Sequence, residues 1–278
     1  MTTITLSQIE QFRQHLVNTD KAPSTIQKYC AGVRKFAKWL GEKDITAQNL
    51  RDWREVLAVD HSPATVNGYL CAVNSFLDFL NQSDQKIRGL SLQRRTFIEE
   101  NRELSEKEFQ KLLDGAKRWE DKRLYYILLT LGHTGIRISE LRFITIEALR
   151  KGRAIIRNKG KCRTIIIPKL LRRELLRYGY RIGVDQGCLF VTRGGKPVDR
   201  SNIHHDMKRL CRMAGVNKDK VFPHNFRHFF ARAFYDVEKN ISWLADILGH
   251  SSIETTRIYL RTTLQEQERV FEKMSFYL

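Results

Sequence analysis

Over residues 1–85 apolar positions recur at three- and four-residue spacing, the mark of amphipathic helices. Leu6, Ile9, Phe12 and Leu16 form one stripe, opened by the capping-box pair Thr5 and Gln8. Leu50, Trp53 and Leu57 form another, which Thr46 is placed to cap. Between and after these runs an internal repeat. Pro23-Ser24-Thr25-Ile26, then Tyr29, Val33, Phe36, Trp39 and Leu40, is echoed by Pro63-Ala64-Thr65-Val66, Tyr69, Val73, Phe76, Phe79 and Leu80. Proline near each helix start suits a first turn whose N–H has no partner anyway. The stripes account for themselves as core.

From Asn81 to Asn101 the periodicity lapses, and Lys86, Arg88, Gly89, Arg94 and Arg95 occur among Ser and Gln. This predicts an extended basic linker at 86–101, separating a helical domain at 1–85 from a second domain at 102–278. The second domain is mixed. Ser105 and Glu108 form a capping box ahead of Leu112 and Ala116, and an apolar helix from Leu124 to Leu131 is expected to stop at Gly132. Ala154 to Ile156 and Thr164 to Ile167 read as short strands around the turn Asn158-Lys159-Gly160-Lys161. Helices follow at Ser201 to Ala214, before Gly215, and at Asn225 to Tyr235. The expected fold class is mainly α with two domains: an all-helical front, and a mixed α+β back with a small antiparallel sheet.

Charge narrows the function. The 49 Lys and Arg against 31 Asp and Glu leave a net +18 over 278 residues, a balance that draws polyanions, nucleic acid first. On the first repeat Lys28, Lys35 and Lys38 fall opposite Tyr29, Val33, Phe36 and Leu40. Such a face either lies along phosphates or is simply solvated. Arg94 and Arg95 give the linker a similar reason to cross DNA. No apolar run approaches the ~20 residues of a membrane span, and Met1 to Phe12 lacks a signal-peptide pattern, so a cytoplasmic protein without membrane contact is expected. The five cysteines are scattered with no CxxC pair, which speaks against a zinc site or a disulfide framework. Most read as core, with Cys162, in a basic turn, as an exposed thiol. Neither a GxxxxGK[ST] loop nor a cluster of carboxylates is present, and no metal or cofactor is expected.

Four segments of the second domain carry chemistry: Thr134-Gly135-Ile136-Arg137-Ile138-Ser139-Glu140-Leu141, His224-Asn225-Phe226-Arg227-His228, Leu248-Gly249-His250, and Thr255-Thr256-Arg257-Ile258-Tyr259. His224 and Arg227 stand one helical turn apart and so share a face. Each segment alone says little, since a single arginine is commonly a surface charge and a single helical tyrosine commonly core. In this order they resemble the tyrosine recombinase family of phage integrases and Xer proteins. The family signature of Arg, hairpin Lys, His-x-x-Arg, His or Trp, and Tyr matches Arg137, Lys159, His224, Arg227, His250 and Tyr259. The helical front domain resembles the family's SAM-like core-binding domain, and the back its catalytic domain.

The resemblance implies a site-specific recombinase that cuts and rejoins DNA through a 3′-phosphotyrosine at Tyr259. Arg137 and Arg227 would clamp the non-bridging oxygens, His224 would accept the phenol proton, and Lys159 would protonate the departing 5′ oxygen. His250 would donate to a phosphate oxygen, and Glu140 would orient the site. The hairpin word Lys159-Gly160-Lys161-Cys162-Arg163 is one residue shorter than the family's usual form, which leaves Lys161 as the alternative acid. Phe226 stands where the family has leucine. The resemblance further implies a homo-tetramer on two double-stranded DNA sites and a Holliday junction, with room for a directionality factor or a partner recombinase. A C-terminal helix from Leu264 to Met274 would dock on a neighbour or on its own domain. With no arm-binding domain in view, a simple Xer-like or transposon-type enzyme is expected, the choice between integration, excision and dimer resolution staying open. A type IB topoisomerase-like enzyme and a non-catalytic DNA-binding protein are the rival classes.

Overall fold

The computed structural model describes residues 4–92, 103–158, 161–192, 194–250, 252–260, 268, 271 and 272. The fold divides into two compact units, residues 1–94 and 95–278.

The first unit is four helices: α1 (Leu6–Asn18), α2 (Pro23–Leu40), α3 (Ala47–Asp60) and α4 (Pro63–Phe79). Thr5 and Gln8 close the capping box of α1, and Thr46 and Ser62 cap α3 and α4 through their hydroxyls. The repeated stripes of α2 and α4 face each other, and Gly32 lets the two backbones approach, since a Cβ there would lie 2.9 Å from Ala72 Cβ. Phe36, Trp53 and Leu70 fill one core, and Phe12, Val33 and Phe76 another. Residues 86–92, the start of the stretch read as linker, lie along this unit. Ile87 is buried in the first of these cores, and the amides of Asn74 and Asn67 hold the Ile87 and Leu90 backbone at 2.7–3.0 Å. Side-chain amides do here what a strand ladder would otherwise do, and hydrophobic periodicity carries no trace of that.

In the second unit α5 (Glu106–Lys117), α6 (Arg123–Thr134), α9 (Arg200–Ala214) and α10 (Pro223–Glu238) surround one core with Phe109, Leu128, Leu210 and Phe226 inside. Short α7 (Ile146–Lys151) leads to the antiparallel pair β1 (Arg153–Asn158) and β2 (Lys161–Ile166), registered from Arg153 opposite Ile166 to Asn158 opposite Lys161. Then come α8 (Lys169–Arg181), and, after α10, α11 (Ile241–Leu248) and α12 (Ile253–Arg257), the last tightening into a 3₁₀ turn at Ile258–Leu260. The fold class is the one expected: mainly helical, with a small antiparallel sheet in the second unit.

One boundary differs. Helix α6 does not stop at Gly132 but runs to Thr134 and ends on Gly135, which adopts the left-handed conformation at φ +61°. Gly132 is a packing glycine: a Cβ there would fall 2.5 Å from the Phe109 ring. The C-cap role belongs to the second glycine, at the entrance to the Arg137 segment.

Candidate active site

Each chemistry-bearing segment sits where an element ends. Gly135 closes α6 with its N–H on Leu131 O at 3.1 Å, and the chain leaves extended through Arg137. A 3₁₀ turn at Ile138–Phe143 then brings Glu140 back to accept the Arg137 backbone N–H at 2.6 Å and its guanidinium Nη1 at 3.2 Å. Gly249, also left-handed, closes α11 and delivers His250, whose N–H returns to Ala245 O. His224, Arg227 and His228 lie at the start of α10, where Pro223 opens the helix.

These ends converge. Tyr259 Oη lies 3.0 Å from His224 Nε2. The Tyr259 ring stacks on His250 with centroids 5.2 Å apart, and on its other neighbour His228 at 4.2 Å. Arg227 is 1% exposed, and donates through Nη1 to Gly135 O at 2.7 Å and through Nη2 to Leu248 O and to His250 Nε2 at 3.0 Å. A guanidinium has no acceptor, so His250 Nε2 accepts and its proton sits on Nδ1, which donates to Thr256 Oγ1 at 2.9 Å. Arg227 Nε is buried without a partner.

Charge explains the protonation states. Burial first, then Arg227 and Arg137, pushes His224 below the ordinary imidazole range, so it is neutral and able to take a proton. Burial and the same cations bring His250 down to about 4, and burial with His224 brings His228 down to about 4. Burial and Arg137 lower Arg227 to about 10, which leaves it charged at neutral pH. Glu140 is 1% exposed, and burial alone would raise it. Hydrogen bonds from Arg163 and the Arg137 backbone outweigh that and hold it below the usual carboxylate range.

Arg137, His224 and Arg227 share a cavity of about 580 Å³ with Arg200, Ser201 and His204 of α9. Two arginines and a neutral histidine around an open cavity, with a phenol behind the histidine at 3.0 Å, can bind a tetrahedral anion and supply an oxygen nucleophile. Among the described residues no group of His, Cys, Asp and Glu is placed to hold a metal ion, and no helix is long and apolar enough to cross a membrane.

The structure thus brings Arg137, Glu140, His224, Arg227, His250 and Tyr259 together. Lys159, Arg94 and Arg95 lie outside the described residues, as does most of the stretch from Leu264 to Met274. Lys28, Lys35 and Lys38 are exposed on α2. Two of them turn toward α4: Lys35 Nζ meets His61 Nε2 at 2.8 Å and caps the Tyr69 ring, and Lys28 Nζ lies over Gly68. The sequence reading passed over three residues of the cluster, His228, Thr256 and Arg163. His228 could have been found as the residue one helical turn beyond His224, and Arg163 as the last residue of the hairpin word.

Residues 102–266 match the family model described as the phage integrase family, and residues 9–84 the one described as the phage integrase N-terminal SAM-like domain. The chain is 33% identical over 177 residues to tyrosine recombinase XerA of Pyrococcus furiosus, covering 61% of this chain but only 60% of that one. Against tyrosine recombinase XerH of Campylobacter jejuni the match covers 47% of the relative. With XerA of Thermococcus kodakarensis identity is 27% over 274 residues, covering 95% and 94%. The fold is shared with an XerH site-specific recombinase bound to difH substrate (TM-score 0.72, 20% identity, 97% and 85% covered). It is shared equally with a lambda integrase tetramer bound to a Holliday junction (TM-score 0.73, 15% identity, 92% and 77% covered). With both of its parts matched and the arginines, histidines and tyrosine of the signature brought together in the second unit, this chain belongs to the phage integrase family of tyrosine recombinases.

Proposed function

We propose that the protein is a site-specific DNA recombinase that cleaves and rejoins strands through a 3′-phosphotyrosine at Tyr259. The observation that carries this reading is Tyr259 Oη 3.0 Å from the neutral His224 Nε2, beside an arginine-lined cavity. Tyr259 Oη attacks the phosphorus and gives its proton to His224 Nε2, while Arg137 and Arg227 hold the non-bridging oxygens. The P–O5′ bond breaks, and the 5′ oxygen leaves as a hydroxyl with a proton from Lys159. In rejoining, a 5′-hydroxyl from the other duplex attacks the phosphotyrosine and gives its proton back to Lys159, while the P–O bond to Tyr259 breaks and the phenol recovers its proton from His224. One ester replaces another at each step, so no ATP is needed. The guanidiniums supply the charge that a metal would bring, and the reaction is metal-independent. His250 supports the clamp by accepting from Arg227 Nη2 through Nε2.

The working unit is a homo-tetramer on two double-stranded recombination sites in the cytoplasm, passing through a Holliday junction, in Xer-like resolution or in movement of a mobile element. A directionality factor or partner recombinase fits the same scheme. Two features support assembly. Beside the active site a cavity of about 1060 Å³ is lined by Phe230, Phe234, Ile247 and half-exposed Trp243, and Phe271 of the C-terminal stretch is 69% exposed. The reading is tested with a nicked suicide substrate built from DNA flanking the gene, in chelator and without ATP. Wild type should form an SDS-stable adduct and Tyr259→Phe none; equal adduct from both would put the nucleophile elsewhere.

A further inference from the structure

Strand β2 carries an arginine, Arg163, for which the cleavage chemistry has no use, yet all three of its guanidinium nitrogens donate within the site. Arg163 Nη1 and Nη2 donate to Glu140 Oε1 at 2.9 Å and Oε2 at 2.7 Å, a bidentate pairing. Its Nε donates to Ile247 O at 3.1 Å, near the end of α11. Its stem lies against Gly249, where a Cβ would come 2.6 Å from Arg163 Cδ. Only a residue without a side chain, immediately before His250, leaves room for it. A single guanidinium therefore fastens β2 to the Arg137 turn and to the helix end that presents His250.

Glu140 has two guanidiniums in reach and treats them unequally. Arg137 gives it the backbone N–H and one long side-chain contact of 3.2 Å, and its own side chain stays 37% exposed toward the cavity. Arg163, 13% exposed, takes both oxygens. A buried carboxylate stripped of that fork must find other donors. The nearest charged donor already touching it is the Arg137 guanidinium.

We propose that Arg163 is a positioning residue that occupies Glu140 and thereby leaves the Arg137 guanidinium free to grip the phosphate. The proposal rests on the reading of Arg137 as a phosphate clamp. Without Arg163, Glu140 draws Arg137 into a fork of its own and takes it off the reacting phosphate.

A double-mutant experiment on the full chain tests this. Arg163→Ala should slow adduct formation about 100-fold, the scale of losing one charge-stabilising group. Its affinity for DNA should change by less than about threefold, because contacts to many phosphates set that quantity. Adding Glu140→Gln to Arg163→Ala should restore the rate about tenfold or more, because a neutral amide no longer competes for Arg137. Arg163→Lys, a single charge without the fork, should rescue only in part. A merely structural arginine predicts the reverse order, with the double variant no faster than Arg163→Ala, and that result would overturn the proposal. So would wild-type cleavage by Arg163→Ala. A second arm needs no cleavage: inorganic phosphate should raise the melting temperature of wild type and of the double variant, and not that of Arg163→Ala. Equal shifts in all three would also refute it. If wild type itself formed no adduct, the recombinase reading would fail while the phosphate arm still decided the role of Arg163. Should Arg163→Ala not fold, Arg163→Gln enters the same comparisons.

Discussion

Replacing Gly135 by alanine tests whether the end of α6 aims both Arg137 and Arg227. A side chain at φ +61° costs about 1–2 kcal/mol in backbone strain. The new Cβ would lie 2.3 Å from Phe230 Cδ1. Phe230 borders the 1060 Å³ cavity and has somewhere to swing, so the clash resolves at the cost of an off-rotamer ring, about 0.5–1.5 kcal/mol. The total loss is therefore about 1.5–3.5 kcal/mol. Gly215→Ala is the matched control: it caps α9 at φ +63° with nothing within 4 Å, so it bears the backbone strain alone. Function should separate the two more sharply than stability. The Gly135 carbonyl receives Arg227 Nη1 at 2.7 Å, and Arg137 follows two residues later, so any tilt there moves both clamps. Urea unfolding should place Gly135→Ala about 1 kcal/mol below Gly215→Ala. Single-turnover cleavage should fall about 100-fold in the first and stay near wild type in the second. If the two variants lose equal stability and cleave alike, the left-handed cap does not aim the arginines.

Three further outcomes follow from the same geometry. His228 and His250 stay neutral in the fold to about pH 4, whereas unfolded histidines protonate near 6.5. The unfolded chain thus binds more protons between those values, and stability must fall as pH drops through that window, by up to about 3 kcal/mol from His228. Urea titrations should show His228→Phe flattening this slope, and an unchanged slope would count against the buried neutral imidazole. Thr256→Val removes the acceptor of His250 Nδ1–H, so the ring loses its tautomer lock; cleavage should drop about tenfold with DNA binding intact, and a wild-type rate would refute the lock. With a net charge of +18, DNA affinity should fall steeply and log-linearly with salt, which a flat titration would contradict.

How far the sequence reaches depends on the range of the interaction. Helices whose apolar stripes repeat locally were legible, down to the capping boxes at Thr5 and Ser105. The end of α6 was not, because Gly132 and Gly135 differ only in what surrounds them: one faces the Phe109 ring, and the other turns left-handed. Arg137, Glu140, His224, Arg227, His250 and Tyr259, which the fold brings together, were linked by their order along the chain and not by any local pattern. Arg163 shows why the remainder was hidden. Its partners Glu140 and Ile247 lie on separate elements 23 and 84 residues away, and no spacing rule connects them. The same holds for Lys35, which as a helix-face lysine reads as free and in the fold rests on His61 and Tyr69.

The balance of charge in the cluster says what it is built to hold. Arg137 and Arg163 both reach the carboxylate of Glu140, Arg227 is buried against Gly135 O and His250, and burial keeps His224, His228 and His250 neutral. Among the described residues Arg137, Arg200 and Arg227 line the cavity of about 580 Å³ and no carboxylate does. A phosphodiester carries one negative charge; the phosphorane formed when a deprotonated phenol adds to it carries two. On the proposed chemistry, a cavity lined by arginines without a carboxylate favours the more highly charged phosphorane over bound DNA, which is what acceleration requires. A neutral His224 3.0 Å from Tyr259 Oη is the proton acceptor that the proposed chemistry requires, and the same burial that costs the arginines solvation keeps it neutral until then.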